Sequence, residues 1–183
     1  MSIGKRVSKA LDAFDAGDLD EGLIAISIAV DATASQIYPG AYNNVAYKQF
    51  IHDEMTIITY AAYGVRILNV KFEYSHSDLK PDADGLCSLQ QILYHVVRCC
   101  LLHRAELPQT LRFTQDADEI LGRSDGVVEL PGEIILGLAI AVVSTPCNSG
   151  ERVTKERWLK SNGKLLRLND LWGKKQKYLD LIK

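Results

Sequence analysis

The chain has 183 residues, the usual size of one domain, and its 47% hydrophobic and 24% charged content is ordinary globular composition that excludes a disordered or fibrous organisation. The net charge of −2 carries no nucleic-acid signature on average, no apolar stretch reaches the ~18 residues of a spanning helix, and four cysteines make a poor disulfide framework. The start, MSIGKRVSKALDAFDAGDLDEG, turns acidic where a signal peptide needs an apolar core, which places the protein in the cytoplasm with its thiols reduced. The average hides an asymmetry. Residues 1–150 hold 11 Lys+Arg against 19 Asp+Glu, whereas residues 151–183 hold 10 against 4. The basic segment reads either as a solvated helix and hairpin or as a phosphate-contacting patch.

In chain order, residues 4–16 carry Val7, Ala10, Leu11 and Phe14 near helical spacing. "DEGLIAISIAVDATASQIYPG" is apolar on nearly all sides from Leu23 to Val30 and predicts a central helix ending before Pro39-Gly40. Asp31 sits awkwardly there, most simply as a buried carboxylate in a structural hydrogen bond. Residues 43–63 read as one further helix with Val45, Phe50, Ile51, Ile57 and Ile58 facing the core. "VRILNVKFEY" alternates, with Leu68, Val70, Phe72 and Tyr74 on one side of a half-buried strand. His76 falls in the loop that follows and reads as a surface residue.

Ser88 and Gln91 form a capping box that starts a helix over 88–106, which Pro108 stops. "LRFT", "EILG" and "VVEL" read as short strands separated by an Asp-rich turn and by Ser-Asp-Gly. Pro131 then opens a very apolar helix to about 144, and "RWLKSNGKLLRL" has the Asn-Gly signature of a tight hairpin before a terminal helix over 170–182. The whole is one domain, mainly α, an antiparallel helical bundle with small strand and hairpin additions. Its helical core covers about 4–64, 88–106 and 131–144, with β additions about 65–74, 111–130 and 157–168. Ile24, Ile28, Leu93, Val97, Leu101, Ile135 and Leu138 are expected inside.

"RCCLLHR", residues 98–104, places costly polar guests in an apolar helix. His95, Cys99 and His103 stand four apart with Cys100 close by, a ligand set that suits zinc. One straight helix, however, does not readily wrap three ligands round an ion at ~2.0–2.3 Å, so no metal or other cofactor is expected. Cys99 or Cys100 with His103 could make a nucleophile and base, although cysteine is also common in plain packing and no oxyanion-hole glycine motif is near. The third chemistry is metal-free RNA cleavage, in which His103 moves protons and Arg98 steadies charge on the phosphate oxygens. On an ideal helix these two differ by about 140° and ~7.5 Å, which points to a site shared across a twofold axis. The purely structural alternative has Arg98 bridging an acidic neighbour and His103 capping a carbonyl.

An arginine, four residues and a histidine in the second half of an apolar helix resembles the R-x4-6-H motif of the HEPN superfamily. "IAVDATASQIYPG" followed by "YKQFI" is similar to the early helix of small bacterial HEPN-like proteins, and "LYHVVRCCLLHRAEL" would be their motif helix. The likeness spans roughly residues 20–110. It implies a helical bundle that dimerises and acts as a metal-independent endoribonuclease in toxin–antitoxin, phage-defence or RNA-processing systems. By position, Arg98 would bind the scissile phosphate and His103 would be the acid/base group, with Cys99, His95 and Asp31 in support. Active members carry Asn, Asp or His directly after the arginine, where this chain has Cys99, a weak hydrogen-bonding substitute. The alternative is a HEPN-like dimer without activity that binds a protein partner, such as a cognate antitoxin.

Overall fold

The computed structural model describes residues 2–104, 106–114, 122–124, 127–161 and 163–182. Helix α1 (Ile3–Asp15) begins at Ser2, whose hydroxyl accepts from the Lys5 N–H, and α2 (Leu19–Ile37) begins at Asp18, which accepts from the Glu21 N–H at 3.1 Å. Both caps satisfy N–H groups that a first turn leaves without partners. α1 packs along α2, and α2 also meets α3 (Asn43–Asp53). α4 (Met55–Tyr63) follows directly, so the helix expected over 43–63 is broken in two. The break lies at Glu54, whose carboxylate turns inward to accept from Lys175 Nζ at 2.6 Å.

The chain then forms a two-stranded antiparallel ribbon of β1 (Lys71–Phe72) and β2 (Cys87–Ser88), much shorter than the strand expected over 65–74. Its beginning is diverted: the Ile67 N–H donates to Thr59 Oγ1 at 3.0 Å instead of joining a ladder. Leu68 is accordingly 77% exposed and not part of the core. His76 is half-buried, its ring stacked on Tyr74 with centroids 6.5 Å apart, which corrects the expectation of a surface residue. The Ser88–Gln91 capping box is formed, and a helix runs in three pieces: α5 (Leu89–Gln91), a π-helical stretch Ile92–Arg98, and α6 (Cys99–Arg104). Ala105 lies outside the described residues.

β3 (Leu111–Thr114), β4 (Gly122–Ser124) and β5 (Val127–Pro131) form a sheet in the order β3-β5-β4, with β3 parallel and β4 antiparallel to β5. Most of the expected "EILG" strand and its Asp-rich turn lie outside the described residues. Pro131 closes β5 opposite Thr114 rather than opening a helix, and lacking an N–H it cannot extend the ladder. α7 (Ile134–Ser144) starts after a Gly132-Glu133 turn and is buried along its length except for half-buried Leu136. Hairpin β6 (Trp158–Ser161) and β7 (Lys164–Arg167) matches expectation, although Asn162 at its turn lies outside the described residues. The terminal helix α8 is shorter than expected, Lys175–Leu181, because Gly173 at φ 71° turns the backbone left-handed just before it.

The protein is mainly helical with small strand additions. Its apolar core runs from Ile3 to Ile182 and includes the expected Leu93, Val97, Leu101, Ile135 and Leu138. Ile24 and Ile28 are only partly buried, since α2 turns Leu23, Ile26, Ala29 and Val30 inward. Val45 is 49% exposed because α3 buries Ala46, Tyr47, Phe50 and Ile51, a stripe that starts one residue later. Among the described residues no helix is long and apolar enough to cross a membrane.

Candidate functional site

Arg98 ends the π-helical stretch, where Cys99 N–H donates to the Tyr94 carbonyl five residues back. Such stretches widen the helix and are frequent at functional sites. Arg98 Nε and Nη2 both reach Asp31 Oδ2 on α2, at 2.6 and 2.5 Å. The side chains are only 13% and 16% exposed, so water screens the pair poorly. The Asn43 carboxamide lies between them, placed to donate to Asp31 Oδ1 and to accept from Arg98 Nη2, each at 3.3 Å. The guanidinium carbon also stands 5.0 Å from the centroid of Tyr94, which Tyr47 meets edge-on at 5.3 Å. Three elements thus hold one cation: α2 by Asp31, α3 by Asn43, and its own helix by Tyr94.

Burial works against the Arg98 charge, and the Asp31 hydrogen bond and charge override it and raise its pKa further. Burial pushes the Asp31 carboxyl up, with Arg98 and Asn43 pulling it back. Arg98 Nη1 meets no acceptor oxygen among the described residues; its partner is Cys99 Sγ at 4.0 Å, a weak contact. Asp31 takes the Nε–Nη2 edge and Asn43 is placed to accept from Nη2 as well, so Nη1 is the guanidinium nitrogen that no oxygen accepts from among the described residues.

The His103 side chain is exposed on α6 and makes no hydrogen bond or ion pair among the described residues, so it does not cap a carbonyl there. Cys99 is partly buried and Cys100 is buried, 3% exposed, which removes Cys100 as an accessible nucleophile. His95 is half-buried with its ring edge-on to Tyr94 at 4.9 Å, and burial with nearby Lys48 pushes its pKa down. Among the described residues no three His, Cys, Asp or Glu side chains come together as a metal site. The π-helical stretch between His95 and Cys99 also spoils the shared face that four-residue spacing would give them.

The structure therefore joins Arg98 to Asp31, which the sequence placed 67 positions apart and did not connect. It adds Asn43 and Tyr94, which sequence reading missed. Tyr42, directly before Asn43, is 85% exposed. Beside Asp31, a cavity of about 390 Å3 opens between α1 and α2, lined by Ile3, Arg6, Ile28 and Ala32 among others.

The model of the Rv1289 family matches residues 2–183. The chain belongs to the Rv1289 family. Uncharacterized protein Rv1289 of Mycobacterium tuberculosis and uncharacterized protein Mb1320 of Mycobacterium bovis are each 24% identical to it over 187 residues, covering 100% of this chain and 88% of theirs. No solved structure matches it. The Rv1289-family match runs from α1 to α8, so it takes in Asp31, Asn43, Arg98 and His103 together.

Proposed function

We propose that this Rv1289-family chain is a HEPN-like, metal-independent endoribonuclease that works in the cytoplasm as a homodimer. The observation that carries it is the Arg98 guanidinium, held by Asp31 on its Nε–Nη2 edge while Nη1 lacks an acceptor oxygen among the described residues. A preorganised cation of this kind suits the charge that builds on phosphate oxygens during transesterification. In that step the RNA 2′-oxygen loses its proton and bonds to phosphorus, the bond from phosphorus to the 5′-oxygen breaks, and the 5′-oxygen gains a proton. A 2′,3′-cyclic phosphate and a 5′-hydroxyl result.

An imidazole at His103, exposed and reachable by substrate, can take one of these protons and return the other. One ring does not easily serve both sides of the phosphorus at once, so two copies of the helix across a twofold axis supply two. The open apolar wall of α2 at Ile28 and Ala32, next to Asp31, offers a face for that pairing. A second reading also has a specific observation behind it. The closest contact of Arg98 is a carboxylate, and a thiol stands where a polar neighbour would be, which suits a scaffold that keeps the fold and binds a protein partner.

Cleavage of single-stranded RNA in EDTA separates the two. Arg98→Ala and His103→Ala should each lower the rate by about 10²–10⁴ with the fold intact, and Cys99→Asn should hold or raise it. Sedimentation at micromolar concentration should return twice the 20.3 kDa chain mass. Wild-type protein that leaves varied RNAs uncut, with Cys99→Asn equally inert, would sink the nuclease reading in favour of the scaffold.

A further inference from the structure

The basic segment 151–183 carries a surface that Arg98 and His103 do not use. In the hairpin, Trp158 stands opposite Arg167 and Lys160 opposite Leu165. Residues directly opposed, or two apart on one strand, share a face. One face therefore presents Trp158, Lys160, Leu165 and Arg167, while Leu159 and Leu166 on the other are buried in the core. Trp158 is 55% exposed and Leu165 64%. Trp158, Leu165 and Arg167 line a cavity of about 200 Å3 together with Asp170 and with Lys177 and Leu181 of α8, and Lys160 stands on the same hairpin face outside that lining.

The charges on this face are unequally spent. Arg167 is paired with Glu156 at 2.7 and 2.9 Å, while Lys164, on the opposite face with Leu166, is tied to the Leu181 carbonyl. Lys160 and Lys177 are exposed and form no ion pair among the described residues. A solvent-facing indole on an apolar floor, flanked by unneutralised lysines, gives no stability that a buried ring would not give better. It does match an unpaired nucleotide, which offers a π-face to stack and a phosphate to neutralise. A duplex offers no free base face.

We propose that this hairpin face binds a single-stranded RNA segment, with a base stacked on Trp158 and the adjoining phosphates met by Lys160 and Lys177. The choice of RNA over DNA rests on the nuclease reading; the stacking platform does not.

The test uses the full chain carrying His103→Ala, in EDTA, titrated with a short oligouridylate at low salt. The protein has two tryptophans, and Trp172 is 2% exposed, so a change in emission reports on Trp158. Quenching is expected with oligouridylate and not with duplex RNA of the same length. Trp158→Phe should abolish the quenching yet keep affinity, because phenylalanine still stacks. Trp158→Ala should weaken binding roughly 5- to 100-fold. Lys160→Glu with Lys177→Glu should make the negative slope of log affinity against log salt shallower by about 1.4. Unchanged emission at high oligonucleotide, quenching that survives in Trp158→Phe, or wild-type affinity in Trp158→Ala would overturn the proposal. So would a dimer that Trp158→Ala converts to monomer, which would make this face a contact between copies. RNA bound but never cut by the wild-type protein would count against the nuclease alone.

Discussion

Arg98 shows how much of a residue's role is set by its neighbour. An arginine in an apolar helix is costly unless its charge is met, and the structure meets it with Asp31 at 2.5–2.6 Å. Both side chains keep some contact with water, so removing one partner should cost less than in a fully enclosed pair. Asp31→Ala, which leaves a half-buried guanidinium unmatched, should destabilise the protein by about 1–3 kcal/mol in urea unfolding. Adding Arg98→Ala removes the orphan, so the double variant should lose less than the sum of the singles, with a coupling of about 0.5–3 kcal/mol. Strict additivity would mean that the two side chains do not depend on each other. Both residues stood out in the sequence as polar intrusions in apolar helices. Their pairing did not, because residues 67 positions apart leave no periodic trace of contact.

The elements were legible where local chemistry decides them and illegible where tertiary contacts do. Ser88 and Gln91 announce a helix start, and the alternation around Asn-Gly announces the hairpin; both are present. Helix 43–63 splits because Glu54 is drawn inward by a lysine 121 positions later, which no local pattern encodes. The π-helical stretch Ile92–Arg98 is likewise silent, since its apolar residues fit an ordinary helix as well. That matters for the site, because the stretch sets the direction in which Arg98 leaves its helix. The all-round apolar character of α7 correctly foretold its burial, but not how closely it approaches α4. A Cβ at Gly137 would lie 2.4 Å from the Ile58 carbonyl oxygen and 3.2 Å from Ala62 Cβ. In an open helix Gly→Ala gains about 1 kcal/mol, whereas overpacking a tight contact costs about 1–3 kcal/mol. The obstacle is backbone, which cannot rotate away, so the cost should win. Gly137→Ala should lower the melting temperature by several degrees, roughly 2–8 °C for a chain near this size; an unchanged or higher value would mean the two helices move apart freely.

At the scale of the molecule, the charge asymmetry of the sequence turns out to be partly internal. Acidic groups of the first half draw in the basic segment: Arg157 pairs with Asp12 and Asp15 of α1, and Lys175 pairs with Glu54. Glu151 in turn accepts from the Ser2 hydroxyl and the Gly4 N–H, fastening the later chain to its beginning. Of these ties, Lys175–Glu54 reaches deepest, since the Glu54 side chain is 7% exposed and its Oε2 is buried without a partner among the described residues. Burial pushes the pKa of the Glu54 carboxyl above its ordinary value, and Lys175 pulls it part of the way back. A carboxyl whose folded pKa lies above its unfolded value contributes stability below the unfolded value, about 4.3, and that contribution is lost as pH rises through the folded pKa. Lys175→Ala removes the offset and raises the folded pKa further, so the loss deepens at neutral pH. Lys175 is 34% exposed and keeps water near, which places the cost at about 2–3 kcal/mol, under the roughly 3–5 of a fully buried pair. The deficit against wild type should be largest at pH 7 and shrink toward pH 4, where Glu54 is protonated with or without its lysine. Urea midpoints across that range measure it. A deficit that stays constant with pH would show that Lys175 stabilises the C-terminal segment by packing rather than by meeting the buried charge.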